Sequence, residues 1–254
     1  MGRADLVKKY EAKRKSLPNK EVWGREEPRK LRLVQEHAVY AAMVDSMDQA
    51  VGKVLKGLED NGVADNTIVI FFSDNGGLST SEGWPTSNLP LRAGKGWLYE
   101  GGIREPLIVK WPGVTRPNST STYPVTSTDF FPTILEMAGL ESLPKQHIDG
   151  ASLVSVLKEP NTTSNDRILF WHYPHWGNQG GSPGTVVRQG DWKLIHFYTP
   201  GMKPELYNLA NDEAEKNNLF EKNPAKVKEL SAQMQAMLKE TKALLPEVNP
   251  EFKR

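Results

Sequence analysis

The chain has 254 residues, 38% of them hydrophobic, and its 32 basic and 31 acidic side chains leave a net charge of +1. That apolar content supports a core and excludes wholesale disorder, while the balanced charge gives no global field for nucleic acid or anionic lipid. Zero Cys removes disulfides, thiolate zinc sites, iron–sulfur clusters and a cysteine nucleophile, and leaves the redox compartment open.

Residues 1–30 are mostly charged, with Pro18 and Pro28 as breakers. They hold no apolar h-region, so no signal peptide is read, and no run approaches the ~18–20 apolar residues of a membrane span. Apolar spacing predicts a long helix over residues 29–61, with one buried stripe through Leu33, His37, Val44, Val51 and Leu58 and a stop at Asn61-Gly62. Residues 66–72 follow as an unbroken β-branched and aromatic run. Such a run predicts a strand buried on both faces of a parallel sheet. A polar, Gly-rich loop then extends to about Gly102, and residues 106–111 read as a second strand closed by Pro112-Gly113. Thr128-Asp129 caps a helix over 130–138, and a short helix covers 151–157. This order argues for an α/β sheet.

The composition turns polar near residues 159–166, which places a boundary between a part spanning 1–160 and a smaller part spanning 161–254. In the latter, strand-like runs fall at 168–173, 184–188, 192–197 and 205–208, with Gln189-Gly190-Asp191 at a hairpin turn. An amphipathic helix over 224–245 completes the chain. The expectation is a small antiparallel sheet with a helix packed on it.

Two segments carry chemistry. In open α/β sheets ligands sit beyond the carboxyl ends of strands, where Phe71-Phe72-Ser73-Asp74-Asn75-Gly76-Gly77 would lie. Asp74 and Asn75 offer hard oxygen donors of the kind Ca²⁺ or Mg²⁺ prefers, although Asp-Asn-Gly is also plain turn chemistry. Farther on, Lys95 stands between Gly94 and Gly96. A lysine so placed can meet an anion with loop N–H groups beside it, or simply be solvated on a surface loop. His172 and His175, in Trp171-His-Tyr-Pro-His-Trp176, read either as lining a pocket mouth that binds substrate or as aromatic packing. His37 reads as a core or boundary histidine, Asp48 as a cap or salt-bridge partner, and His147 and His196 carry no partner pattern.

Taken as an ordered set, Phe71-Phe-Ser-Asp-Asn-Gly76, Leu91-Arg-Ala-Gly-Lys-Gly96, Leu98-Tyr-Glu-Gly-Gly-Ile-Arg-Glu-Pro106 and Lys110-Trp-Pro-Gly113 resemble the type I, formylglycine-dependent sulfatases of the alkaline-phosphatase superfamily. Thr128-Asp-Phe-Phe-Pro-Thr-Ile-Leu135, Asp149-Gly-Ala-Ser-Leu153 and Gly190-Asp-Trp-Lys-Leu-Ile195 extend the likeness to nearly all of the chain after Arg29. The resemblance implies a partial alkaline-phosphatase-like sheet with flanking helices and an arylsulfatase-like sulfuric ester hydrolase activity. By it, Asp74 and Asn75 match the family's late pair of calcium ligands, with Asn75 near the scissile oxygen. Lys95 matches the catalytic lysine that contacts the sulfate and steadies the leaving group.

The family's formylglycine nucleophile arises from C/S-x-P-x-R, and no such motif occurs here. Asn88-Leu-Pro-Leu-Arg92 has Asn at the nucleophile position. The early Asp-Asp pair that completes the calcium site is also missing. The chain is therefore read as a C-terminal portion of a sulfatase, with an incomplete Ca²⁺ site, inactive alone, whose parent is periplasmic or secreted. A sulfate ester, possibly a sulfated carbohydrate, is the implied substrate class. Two other readings stay open: a non-catalytic module binding a cation or sulfated ligand, and a metal-dependent phosphohydrolase of the same superfamily.

Overall fold

Residues 2–163, 166–247, 249 and 251 are described by the computed structural model. In chain order the elements are α1 (Ala4–Ser16), β1 (Trp23–Glu26), β2 (Arg29–Arg32), α2 (Ala38–Asp60), β3 (Val69–Phe72), α3 (Glu100–Ile103), β4 (Leu107–Lys110), α4 (Phe130–Met137), α5 (Val154–Lys158), β5 (Ile168–Tyr173), β6 (Gly184–Gln189), β7 (Trp192–Phe197), β8 (Glu205–Asn208) and α6 (Pro224–Glu240). They fall into two units that exchange the chain repeatedly. One holds Met1–Asn19, Glu36–Asp74 and Glu105–Ser164, and the other Lys20–Gln35, Asn75–Arg104 and Asn165–Arg254.

In the first unit α2 is shorter than its spacing predicts. Residues 29–32, which belong to the second unit, pair antiparallel with Trp23–Glu26 instead of continuing a helix. His37 Nδ1 accepts the Tyr40 N–H at 3.2 Å and so caps α2, which makes His37 a start signal rather than a stripe residue. The predicted stripe is present but largely uncovered. Ala42 is the only residue of α2 that is buried, and Met43, Met47 and Val54 are exposed. Helix α1, hidden from sequence reading by its charge, lies on α2 through Lys9 Nζ to Asp45 Oδ2 at 2.7 Å and Tyr10 Oη to Asp45 Oδ2 at 3.1 Å.

Strand β3 pairs antiparallel with β4, Val69 opposite Lys110 and Phe72 opposite Leu107. The expected parallel neighbours of β3 are not found among the described residues, and its side chains are half-buried. An apolar run encodes burial but not the direction of its partner. Thr126 and Asp129 form a capping box before α4, and Asp129 Oδ1 also accepts the Ala151 N–H at 2.9 Å, joining α4 to the approach to α5.

In the second unit the C-terminal strands match their sequence pattern closely. Strands β5 to β8 form an antiparallel meander in chain order, and Gln189 pairs with Trp192 across Gly190-Asp191. Gly190 takes φ +55°, the left-handed conformation this tight turn demands. The period of two gives the sheet two separate cores. On one face Val187, Leu194 and Leu206 meet Leu230 and Met234 of α6. On the other, Val186, Ile195 and Phe197 meet Ala93, Trp97, Leu98 and Tyr99. Burying side chains such as Leu230 and Leu206 contributes about 1.5–3 kcal/mol each. The segment bearing Lys95 is thus built onto the sheet.

Candidate active site

The Lys95 loop is a set of backbone cross-ties. Lys95 N–H donates to Gly77 O at 3.2 Å, Trp97 N–H to Gly94 O at 3.0 Å, and Gly76 N–H to Gly102 O at 3.1 Å. The side chain of Asn88 clips the same strands together. Its Nδ2 donates to Gly77 O (2.7 Å) and Ala93 O (2.8 Å), while its Oδ1 accepts the Gly77 N–H (3.1 Å). Ser79 Oγ adds a bond to Ala93 O at 2.9 Å. Such convergence leaves no room at Gly94, where a Cβ would stand 2.3 Å from Gly77 O. The result is a rigid base from which the exposed side chain of Lys95 projects. The segment that begins with Asn75 is therefore stitched to the Lys95 loop within two residues, at Gly76 and Gly77.

Arg92 anchors the front of this loop. Its Nη2 donates to Glu26 Oε1 at 2.7 Å and its Nη1 to Tyr207 Oη at 3.0 Å, and its guanidinium lies 3.7 Å from the centroid of the Tyr99 ring. Burial disfavours the guanidinium charge, but Glu26 overcomes that and raises its pKa above the ordinary value. Burial also pushes the Tyr99 and Tyr207 hydroxyls upward, with Glu205 adding to the effect. Both hydroxyls donate to Glu205 Oε2, at 3.0 and 2.9 Å.

Asp74, in the first unit, is exposed just beyond β3. Ser73 N–H donates to Pro106 O at 3.3 Å, which extends the β3–β4 ladder. Asp74 and Glu105 follow directly at the open end of that ladder, where the Asp74 charge acts on Glu105. Two carboxylates so placed repel. Glu105 accordingly titrates high, at about 7, through burial first and the Asp74 charge second. Its Oε1 is buried without a hydrogen-bond partner among the described residues. Glu105 was not singled out by sequence reasoning. The signal was available in Arg104-Glu105-Pro106, where an acidic residue adjoins an otherwise apolar strand.

The two histidines separate. His172 Nε2 lies 2.9 Å from Leu244 O, and because a carbonyl only accepts, that nitrogen carries a proton. Its Nδ1 lies 2.8 Å from Thr185 Oγ1, its cross-strand partner, so both ring nitrogens are engaged within the unit. His175 is exposed beside Tyr173, edge-on at 5.5 Å, and next to Trp176, which is 68% exposed. Among the other histidines, His147 Nε2 accepts the Leu143 N–H at 3.1 Å, and His196 packs against Tyr198. Asp48 is exposed on α2.

Hard oxygen donors suit Ca²⁺, and the mutual repulsion of Asp74 and Glu105 is the kind of charge a cation relieves. The carboxylates of Asp74 and Glu105 are donors of that kind. No group of three or more His, Cys, Asp or Glu able to hold a metal gathers among the described residues.

A family model described as sulfatase matches residues 3–140, and one described as N-sulphoglucosamine sulphohydrolase, C-terminal, matches residues 93–243. The chain belongs to the sulfatase family. A sulfatase of Formosa agariphila is 44% identical over 240 residues, covering 88% of this chain and 40% of that protein. An N-acetylglucosamine-6-O-sulfatase of Bacteroides thetaiotaomicron is 33% identical over 217 residues, covering 84% and 37%. A solved structure of a protein in complex with its substrate D-glucosamine-2-N,6-O-disulfate superposes with a TM-score of 0.67 at 31% identity, covering 81% of this chain and 40% of that one. The chain spans about two fifths of the length of these relatives. The fold class expected from sequence, a partial α/β sulfatase architecture with a small antiparallel sheet on a helix, is the one found. No helix among the described residues is long and apolar enough to cross a membrane.

Proposed function

We propose that this chain supplies the late part of a sulfuric ester hydrolase site, with Lys95 as the catalytic and sulfate-binding cation and with Asp74 and Asn75 as ligands to Ca²⁺. The overall reaction consumes water and splits R–O–SO₃⁻ into R–OH and hydrogen sulfate. Negative charge gathers on the departing oxygen and on the sulfuryl oxygens, and fixed positive charge nearby lowers that barrier. Lys95 suits this role because its backbone is immobilised while its ammonium stays in solvent reach. A bound Ca²⁺ would add Lewis-acid stabilisation of the sulfate oxygens. Asp74 and Asn75 are suited to hold that ion, with Glu105 lending charge.

The observation that carries this reading is the tie from Lys95 N–H to Gly77 O, which joins the lysine loop to the segment starting at Asn75. Nothing in the chain supplies a formylglycine precursor of the family pattern, so the 254-residue chain is expected to show no turnover alone. A sulfated amino sugar is the favoured substrate class, because a relative of 31% identity binds a glucosamine disulfate.

The test is calorimetric titration of the chain with Ca²⁺, beside an aryl sulfate assay. Weak binding that Asp74→Asn abolishes, without turnover, supports the reading. Binding unaffected by Asp74→Asn, or robust hydrolysis by this chain, would refute it.

A further inference from the structure

The most unusual feature of the second unit is a fully buried lysine. Lys193 in β7 sits opposite Arg188 on one side and Tyr207 on the other, on the sheet face that carries Ile195 and meets the Lys95 loop. Two cations directly across a ladder repel, and an ammonium removed from water without partners gives up its proton. Here two carboxylates answer it. Lys193 Nζ lies 2.9 Å from Glu100 Oε1 and 2.8 Å from Glu215 Oε1, and Arg188 Nη1 lies 3.7 Å from Glu100 Oε2. Glu100 and Glu215 are each 1% exposed.

Glu100 opens α3, five residues after Lys95. Glu215 Oε2 accepts the Glu100 N–H at 2.6 Å, so the same carboxylate binds the lysine and holds the first turn of α3. Glu215 itself adopts φ +51°, and its carbonyl accepts from Arg92 Nη1 at 3.2 Å. The cluster therefore grips both ends of the Lys95 loop, at Arg92 and at Glu100. Burial opposes ionisation of Glu100, but Lys193 and then Arg188 prevail and hold its carboxyl below the ordinary range. At Glu215 burial prevails over Lys193, and its carboxyl titrates high.

We propose that Lys193, with Glu100 and Glu215, is a positioning residue for Lys95: its ammonium locks the sulfate-contacting loop to the C-terminal sheet. This rests on the reading of Lys95 given above. With the loop undocked, the sheet would present a like-charge pair to solvent, so docking of the loop and assembly of the cluster occur together. A gatekeeping cation of this kind lets the C-terminal sheet dictate where the Lys95 ammonium stands.

Hydrogen exchange on the full chain tests the lock directly. In Lys193→Met, the amides of Trp97, Gly101 and Gly102 are expected to exchange roughly 100-fold faster, while those of Val186 and Val187 change by less than about threefold. Glu215→Gln, nearly isosteric, is expected to give the same pattern and serves if Lys193→Met does not fold. Equal acceleration across the sheet and the loop, or no acceleration, overturns the proposal. In parallel, inorganic sulfate is titrated against the Gly94 and Gly96 amide resonances. Sulfate-induced shifts lost in Glu215→Gln support positioning, and shifts unchanged there overturn it. Absence of shifts in the unsubstituted chain would sink the sulfate reading of Lys95, and the exchange pattern would still decide whether the lock exists.

Discussion

The N–H of Lys95 donates to the carbonyl of Gly77 at 3.2 Å, so the loop that presents the lysine and the turn that follows Asn75 share one hydrogen-bonded framework. A displacement of either segment is passed to the other through this backbone bond and through the side chain of Asn88.

Asn88 is the principal clip of that framework. Asn88→Ala removes the bonds to Gly77 O and Ala93 O together with the acceptor of the Gly77 N–H, for an expected loss of about 1–3 kcal/mol. Asn88→Asp should be at least as damaging, because a carboxylate would face two carbonyl oxygens. Urea unfolding of both variants checks this, and an unchanged midpoint would contradict the role.

Gly94→Ala should be severe for a different reason. The new methyl would overlap Gly77 O, and that atom belongs to the backbone and cannot swing aside. A loss of about 2 kcal/mol or more is expected, read as a lower thermal midpoint. Gly52→Ala, on α2 with nothing near its Cβ, is the matched control and should stabilise slightly, by up to ~1 kcal/mol.

Glu105 gives the unit a pH signature. Its folded-state pKa, about 7, lies above the ordinary 4.5 because burial and then Asp74 disfavour its charge. Between those values the folded chain holds a proton that the unfolded chain releases. Stability contributed by protonated Glu105 is thus complete at low pH and declines as pH rises through this window. Glu105→Gln should flatten that decline, measurable as urea midpoints from pH 4.5 to 8. A decline of equal depth in the variant would exclude Glu105 as its source.

Leu230→Ala opens a cavity on the α6 side of the sheet, where the side chain is wholly buried. The expected loss is about 2–5 kcal/mol. The exchange rates of Trp97 and Gly101 relative to those of the sheet should remain as in the unsubstituted chain.

Legibility varied with the kind of force involved. Strands β5 to β8 were readable because short apolar runs alternate with turn chemistry such as Gly190-Asp191. The start of α6 was readable from Pro224. Helix α1 and the β1–β2 hairpin were not, since their residues are charged and their order comes from partners such as Asp45. The direction of β3 pairing was equally hidden, as Val69–Phe72 would look alike in a parallel or antiparallel ladder. Asp74, Asn75 and Lys95 stood out through motif resemblance. Lys193 did not, because a lysine in a strand reads as facing water, and its partner Glu100 lies 93 residues away. His172 stood out among aromatics, yet cross-strand Thr185 and Leu244 O occupy its nitrogens.

The two unlike sides of the β5–β8 meander have a practical outcome for engineering. Both sides hold buried apolar residues, but only the side away from α6 carries the Lys193–Glu100–Glu215 cluster. Substitutions that raise thermostability can be sought along α6 with no expected penalty in ligand geometry, whereas ligand preference should respond to changes around Arg92, Glu100 and Glu215.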